Sequence, residues 1–319
     1  MLLSRFVLLF FPITVVLAYA EVVLGQNYPS KPIRIITASS GSGVDFGARL
    51  IAQALIEPLG QQLVVENRSG TIPGEIVSKA PPDGYTILIA GTTIWIEPLL
   101  RQKTPYDPAR DFSPITLAAR TPSVLVVHPS LPIKSVKELI ALARSRPGQL
   151  NSASGPSGGS PHLAAELFNA MTGVNIVHVP YKAIAQALTG LIGGEVQLAF
   201  PTSGAALPHI KSGRLRGLAV TSLQPTALVP GLPSVAATVP GYVSESITAV
   251  FAPAKTPAPI VSRLNQEIVR LLSQADLKDK FLASGSEVVG STPEQLAATV
   301  SSEIARMGKV IKDAGIRAD

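Results

Sequence analysis

Short runs of β-branched residues alternate with segments of helical spacing from Pro32 onward, and this alternation predicts α/β layers with a mainly parallel sheet. Apolar side chains within residues 45–56 recur on one helix face, and Pro58 and Gly60 are expected to end that helix. The strands predicted in this part of the chain cover residues 33–37, 63–66 and 86–90. The chain therefore begins with a strand–loop–helix–strand unit.

A second series with the same rhythm begins with a predicted strand at residues 123–128. Ser135 and Glu138 stand at capping-box spacing ahead of a helix predicted over residues 139–146. Later strands are predicted at residues 151–154, 175–179, 196–200, 215–221 and 247–252. Later helices are predicted at residues 161–171, 184–192, 203–213, 259–272, 276–283 and 293–313.

This order of elements predicts two αβ lobes, with the last helices returning to complete the first lobe. We expect residues 28–124 and 248–319 to form lobe 1 and residues 125–247 to form lobe 2, joined by two crossing segments. A cleft between lobes is a preferred place for a small-molecule site. The predicted fold class is thus α/β with two lobes and a ligand cleft.

Composition narrows the possible functions. Of 319 residues, 46% are hydrophobic and 15% charged, so the chain can bury a large core and is not of the disordered class. Lysine and arginine outnumber the acids by 27 to 21, but they are scattered, which argues against nucleic acid as a partner. The absence of cysteine excludes disulfides, thiolate metal sites and cysteine nucleophiles.

The first 20 residues have the features of a secretory signal peptide. Arg5 precedes an apolar run, and the segment closes with Ala18-Tyr19-Ala20, a small-x-small cleavage signal. A membrane anchor is the alternative, but Pro12 interrupts the run, which is shorter than the roughly 20 residues that a spanning helix needs. We expect cleavage after Ala20 and an exported, soluble protein.

Two glycine- and serine-rich loops, each between a predicted strand and a predicted helix, carry the strongest chemical signal. The first loop comprises residues 39–45 and the second loop residues 154–162. Glycines let backbone N–H groups converge, and a helix N-terminus favours an anion. Neither loop contains Lys or Arg, so the pair predicts a carboxylate clamp made of N–H groups and hydroxyls. Ser160 is predicted to cap the second helix, with Pro161 at its first position.

The second loop also matches the G-x-S-x-G motif of serine hydrolases, which makes an exported esterase with Ser157 as nucleophile an alternative. Such an enzyme needs an acid and then a histidine after the serine. No Asp lies between Ser157 and the last histidine, His209, which leaves only Glu166 or Glu195. The motif therefore favours hydrolysis weakly.

A metal site is not predicted. His162 and Glu166 stand at helical spacing, but such a pair is more often a contact on a helix surface than a ligand set. The histidines are dispersed along the chain: His128, His162, His178 and His209.

Several short motifs together identify a family. In the first half they are Tyr28-Pro29-Ser30-Lys31-Pro32-Ile33-Arg34, Ser42-Gly43-Val44-Asp45, Ala48-Arg49-Leu50, Leu59-Gly60-Gln61, Val65-Glu66-Asn67-Arg68 and Ala80-Pro81-Pro82-Asp83-Gly84-Tyr85-Thr86. In the second half they are His162-Leu163-Ala164-Ala165-Glu166-Leu167, His178-Val179-Pro180-Tyr181-Lys182, Gly193-Gly194-Glu195-Val196 and Phe251-Ala252-Pro253. In order and spacing, the chain resembles the Bug-type receptors of tripartite tricarboxylate transporters over essentially its whole mature length.

The resemblance implies a periplasmic receptor with the two-lobed periplasmic-binding-protein fold of type II. Such a receptor closes by a hinge on a small dicarboxylic or aromatic carboxylic acid and delivers it to an integral-membrane permease. It implies a monomer that performs no catalysis and needs no cofactor or metal. A receptor of the same fold that reports to a sensor protein is a further alternative.

In that family the two loops hold the ligand carboxylate through main-chain groups, hydroxyls and waters. Ser42, Ser157 and Ser160 are the side chains most expected to contact the ligand, whereas Asp45 is expected to cap its helix or orient its loop, because like charges repel. The full set of predicted ligand-binding residues is Ser40, Gly41, Ser42, Gly43, Val44, Asp45, Thr92, Ser154, Gly155, Ser157, Gly158, Ser160, His162, Tyr181 and Thr202.

The chain departs from the family pattern at several places, among them the region of residues 246–250, where the aromatic usually found before the Phe-Ala-Pro element is absent. The glycine-rich stretch is shortened and partly apolar at residues 69–74, and Ala183 stands where a Gly usually follows the Tyr-Lys pair. Pro201-Thr202 stands where relatives commonly carry an Asp that recognises an amine or a second polar group. An amino acid is therefore a less favoured ligand.

Overall fold

The computed structural model describes residues 28–101, 103–155 and 158–317. The predicted signal peptide and Ser157 lie outside the described residues. The strands are β1 Ile33–Thr37, β2 Leu63–Asn67, β3 Thr86–Gly91, β4 Phe112–Pro122, β5 Val124–Val127, β6 Asn151–Ser154, β7 Val177–Pro180, β8 Leu198–Ala199, β9 Arg216–Val220, β10 Glu245–Pro253 and β11 Glu287–Val288. The helices are α1 Gly43–Leu59, α2 Ile72–Ser78, α3 Thr93–Leu100, α4 Val136–Ser145, α5 Ser160–Thr172, α6 Ile184–Ile192, α7 Ser203–Lys211, α8 Ala258–Leu272, α9 Ala275–Ala283 and α10 Pro293–Asp313.

These strands form two sheets of mixed direction. The first sheet has the order β11-β4-β10-β3-β1-β2 and the second the order β7-β6-β8-β5-β9. β1 and β6 each pair in parallel with both neighbours, whereas β10 and β5 each pair antiparallel with both of theirs. The prediction of a mainly parallel sheet is therefore wrong, because both sheets contain antiparallel pairs. The antiparallel strands include those that carry the chain between the sheets, and they do not belong to βαβ crossovers.

Local signals set the bounds of α1. The Ser42 hydroxyl caps its start by accepting from Asp45 N, and Gly60 ends it in the left-handed region at φ 63°. The helix runs to Leu59, three residues beyond the predicted end, so Gly60 ends it and Pro58 does not. Capping at α4 also follows the sequence: the Ser135 hydroxyl accepts from Glu138 N.

Three elements of the first half were not predicted: β4, α2 and α3. β4 carries the chain out of the first sheet, and its pattern of burial is not alternating because α8 and α10, from far along the chain, pack against it. Both short helices contain a proline, which weakens the helical signal: Pro73 in α2 and Pro98 in α3.

The chain passes between the sheets at two places that lie side by side. One is Ser123, between β4 and β5, and the other is the segment between β9 and β10. Thr221 N donates to Ser123 O at 2.9 Å, and the Thr221 hydroxyl accepts from Ser123 N at 2.8 Å. Ser244 N donates to Thr221 O at 3.0 Å. Ser123 and Thr221 are buried, so this junction is a pair of buried segments joined by hydrogen bonds.

The largest apolar cluster joins the helices of both sheets. Near the first sheet, the rings of Trp95 and Phe251 meet edge to face in this cluster. Near the second sheet, the rings of Phe168 and Tyr242 do the same. α10 packs against α3 and β4 and also against α5. Among the described helices, none is long and apolar enough to cross a membrane.

Candidate functional site

The first loop links β1 to α1 and is held by Asp45. The Asp45 carboxylate accepts from Gly41 N at 2.9 Å and from Asn67 Nδ2 at 2.7 Å, and Arg49 Nε lies 3.0 Å from it. Gly41 has φ +78°, a conformation that favours glycine, and it therefore directs its N–H back into the loop. Asp45 thus orients the first loop from inside.

The electrostatics of Asp45 keep it ionised. Burial by itself raises its pKa, but hydrogen bonds from Asn67 and Gly41 and the guanidinium of Arg49 outweigh burial, so that the pKa is lowered. A carboxylate only accepts hydrogen bonds, and this one is occupied by three partners of the protein. It is therefore not placed to bind an anion.

The start of α1 leaves donors open. The first N–H groups of a helix lack intrahelical partners, and here Asp45 N is satisfied by Ser42 Oγ and Phe46 N by Ser42 O. Gly43 N and Val44 N have no acceptor among the described residues. Gly43 is exposed and Val44 half-buried. Neighbouring Ser40 is also exposed.

The second loop links β6 to α5, and its cap differs from the prediction. Gly159, not Ser160, is the N-cap; Ser160 is the first helical residue and Pro161 the second. The Ser160 hydroxyl is therefore free of a capping role, which only the N-cap position confers. The N–H groups of Ser160 and His162 have no acceptor among the described residues.

A histidine holds the second loop as Asp45 holds the first. Gly158, at φ +79°, donates its N–H to His162 Nδ1 at 3.0 Å, four residues ahead, the same spacing as Gly41 to Asp45. His162 Nε2 lies 3.6 Å from Glu166 Oε1. The His162 ring also stacks on His178, with centroids 3.6 Å apart and planes 12° from parallel.

His178 is half-buried and bonded to the start of the same loop. Its Nε2 lies 2.6 Å from Ser154 Oγ, and the Ser154 hydroxyl donates to Gly155 O at 2.9 Å. Burial, and then the neighbouring His162, lower the pKa of His178 to about 4, whereas Glu166 acts in the opposite direction. The ring is thus neutral near neutral pH.

Three helix N-termini meet along two residues of β10. Ser246 Oγ donates to Ser160 Oγ at 3.0 Å, and Ile247 N donates to Thr92 Oγ1 at 3.1 Å, where Thr92 is the N-cap of α3. A Cβ added at Gly91 would lie 3.0 Å from Val44 Cγ2 and 3.4 Å from Ile247 O. The starts of α1, α3 and α5 therefore lie around one strand segment, Ser246–Ile247.

The remaining predicted residues lie at the edge of this arrangement. Tyr181 N donates to Ser154 O, but the Tyr181 hydroxyl donates to Glu195 Oε2 at 3.3 Å. Thr202 is the N-cap of α7 and forms a bridge with Ser123 at the junction of the sheets.

Sequence reasoning did not select two residues that the fold brings to the site. Asn67 connects the loop to β2, since its Nδ2 donates to Ala38 O and to Asp45; its place in the Val-Glu-Asn-Arg motif was the available signal. Ser246 lies on β10, more than 80 residues from Ser160, and no local pattern marks it.

Four surface cavities in the described part of the structure lie elsewhere, with volumes of about 490, 440, 380 and 310 Å³. The second loop lies close to α3, which follows a strand of the first sheet: a Cβ added at Gly158 would lie 2.5 Å from Leu100 Cδ1 on α3. Within the described residues, no three His, Cys, Asp or Glu side chains lie close enough together to hold a metal ion.

Comparison with protein families gives one match. The family described as "Tripartite tricarboxylate transporter family receptor" (TctC) matches residues 47–316. A protein from the tcbD–tcbE intergenic region of Pseudomonas sp. strain P51 is 37% identical over 298 residues, covering 92% of this chain and 89% of that protein. BugT of Bordetella pertussis is 33% identical over 305 residues, covering 93% and 94%.

Solved structures show the same relationship. R. palustris Rpa4515 with adipate is 39% identical, with a TM-score of 0.77, covering 92% of this chain and all of that one. MatC (Rpa3494) from Rhodopseudomonas palustris with bound malate is 28% identical, with a TM-score of 0.73, covering 89% of this chain and all of that one.

Proposed function

The chain belongs to the tripartite tricarboxylate transporter receptor family, and from this premise we propose that it binds a small dicarboxylate between two lobes and delivers it to a membrane permease. It does so in the periplasm, after export and removal of its first 20 residues. The family is one of substrate-binding receptors, and the proposal assigns this chain no catalytic step.

The proposed lobes follow the two sheets. Residues 28–124 and 248–319 contain most of the first sheet and residues 125–247 most of the second, with the hydrogen-bonded pair at Ser123 and Thr221 as the hinge. β10 begins at Glu245 and pairs with β4 from there, so we assign residues 245–247 to the first lobe. A hinge needs few residues that absorb a backbone rotation, while the elements on each side stay rigid. Opening would separate Gly158 from Leu100 and Ser160 from Ser246.

The observation that carries the proposal is the meeting of three helix N-termini at Ser246–Ile247. The starts of α1 and α3 belong to the first proposed lobe and the start of α5 to the second, so a ligand there would be held by both lobes. The N–H groups of Gly43, Val44 and Ser160 have no acceptor among the described residues, and neither loop sequence contains a Lys or Arg that could bind the anion instead. Each charge-assisted hydrogen bond to a carboxylate contributes about 1.5–3 kcal/mol.

A dicarboxylate is the ligand class that the relatives support. The Rpa4515 structure contains adipate and the MatC structure malate, and both proteins align over about nine-tenths of this chain. In this chain Pro201-Thr202 supplies no carboxylate for an amine. An aromatic monocarboxylate remains the second ligand class to compare.

Calorimetry with adipate, malate and benzoate tests the ligand class directly. We expect saturable binding of at least one dicarboxylate. Ser246→Ala removes the hydroxyl that meets Ser160 and should weaken binding about tenfold, or ~1.4 kcal/mol. Ser262→Ala, which removes an exposed hydroxyl on α8, is the matched control and should bind like the wild type.

Two outcomes would contradict the proposal. One is the absence of binding to every acid of the panel, and the other is an equal effect of the Ser246 and Ser262 substitutions. Release of product from an activated ester, abolished by Ser157→Ala, would instead support the esterase. Uptake of labelled adipate by cells that carry a tripartite permease, with and without this receptor, tests delivery.

A further inference from the structure

The carboxylate site leaves the stacked pair of His162 and His178 unexplained. His162 lies on α5 and is 5% exposed, and His178 lies on β7. Among the described residues, Glu166 is the charged group recorded against both rings. These two stacked rings lie against the second proposed ligand loop and are therefore candidates for holding that loop in position.

The bond from Gly158 fixes the protonation of His162. Because Gly158 N–H is a donor, His162 Nδ1 must carry its lone pair, and the neutral ring bears its proton on Nε2, facing Glu166. A proton added at Nδ1 would set two donors against each other across 3.0 Å. The bond that holds Gly158 therefore exists only while His162 is neutral.

His178 packs against the neutral ring of His162. The Ser154 hydroxyl donates to Gly155 O, so Ser154 Oγ accepts from His178 Nε2–H. The two neutral rings then stack at 3.6 Å, a separation at which two positive charges would repel strongly. His162 lowers the pKa of His178, so the neighbouring ring favours the neutral form of His178.

The position of Gly158 affects ligand binding because the second loop contacts α3 there. Its backbone lies against Leu100 of α3, and the chain then enters α5 through Ser160. Displacing Gly158 would move the open N–H groups at the start of α5 away from Ser246.

We propose that His162, stacked on His178, is a positioning residue: its Nδ1 accepts from Gly158 N–H and thereby holds Gly158 and the start of α5 where the open N–H groups lie beside Ser246. The inference rests on the proposed function, since it concerns the same site. The prediction that His162 is itself a ligand-binding residue stays a prediction.

Two nearly isosteric substitutions test this role. His162→Asn keeps an acceptor near the place of Nδ1 but does not titrate, whereas His162→Leu has no acceptor. Near neutral pH, we expect amide hydrogen exchange at Gly158 to be at least about tenfold faster in His162→Leu and close to wild type in His162→Asn. Adipate affinity should follow the same order, with a loss of about tenfold for His162→Leu.

Equal Gly158 exchange in His162→Leu and His162→Asn would overturn the proposal. If His162→Leu does not fold, the ¹⁵N shifts of the wild-type imidazole decide, since a protonated Nδ1 at neutral pH contradicts the acceptor role. Failure of every acid to bind would reject the proposed function, while the exchange measurements, which need no ligand, would still test this inference.

Discussion

The two glycine- and serine-rich loops have the same backbone arrangement with two different acceptors. In each, a glycine at positive φ donates its N–H to a side chain four residues ahead, at the start of the following helix. The acceptor is the carboxylate of Asp45 in the first loop and the imidazole of His162 in the second. The same geometry is thus fixed by a carboxylate in one loop and by an imidazole in the other.

The difference teaches how each loop responds to its surroundings. Hydrogen bonds from Asn67 and Gly41 and the charge of Arg49 keep Asp45 ionised well into the acid range. For His178, burial and then the neighbouring His162 lower the pKa to about 4, whereas Glu166 acts in the opposite direction. We therefore expect the surroundings of His178 to change as the pH falls toward this value, while the contacts of ionised Asp45 persist.

The largest effect should come from removing the permanent charge. Asp45→Ala leaves Gly41 N–H, the Asn67 amide and Arg49 without their acceptor, and should lower the free energy of unfolding by about 3 kcal/mol. Asp45→Asn retains one carbonyl acceptor and should cost clearly less. Urea denaturation measures both, and equal costs would contradict the orienting role of the carboxylate.

The pH dependence of stability tests the titratable side. Because burial and His162 lower the pKa of His178 from 6.5 to about 4, the unfolded chain binds a proton between these values that the folded chain lacks. The free energy of unfolding should therefore fall as the pH drops through this window, by an amount on the order of 2 kcal/mol for a ring partly in solvent.

His178→Gln should flatten this slope, since glutamine keeps a donor for Ser154 Oγ without titrating. The Asp45 contribution is the internal reference. Its pKa is lowered, so its stabilisation is complete above the ordinary aspartate pKa of 3.8 and is lost only as the pH falls below that value. A variant slope as steep as the wild type between about pH 6.5 and 4 would refute the assignment to His178.

Alanine at the two glycines compares the space around the loops. Gly41→Ala meets nothing within 4 Å and should cost about 1 kcal/mol for its positive φ alone. Gly158→Ala carries the same backbone strain and also places a methyl group 2.5 Å from Leu100 Cδ1, so it should cost about 2 kcal/mol. In a double variant, Leu100→Ala should remove the extra cost of Gly158→Ala over Gly41→Ala. If the extra cost persists, the contact between Gly158 and Leu100 is not its cause.

The smallest effects distinguish the two serines. Ser42→Ala removes a true N-cap and should lower the free energy of unfolding by about 1 kcal/mol. Ser160→Ala removes no cap, because Gly159 occupies that position, and should cost at most about 0.5 kcal/mol of stability. Thermal denaturation checks the order, and a larger loss at Ser160 than at Ser42 would reverse this assignment.

Much of the fold follows from local signals. Ser42 and Gly60 bound α1, Ser135 starts α4, and the two glycine–serine loops stand between strand and helix as predicted. The family assignment is also confirmed, because its motifs are spread along the chain. The long strand β4 and the antiparallel pairing of β10 were not foreseen, since both depend on partners from distant parts of the chain.

The sequence by itself therefore determined most of the elements, the family and the positions of the two loops between strand and helix, all of which rest on residues a few positions apart. Only the tertiary structure decided what each loop residue does. It turned Asp45 and His162 inward onto glycine N–H groups and brought Ser246 to Ser160. The physical reason is that a hydrogen-bond acceptor is chosen by distance in space, and β10 reaches the start of α5 only after both sheets have formed.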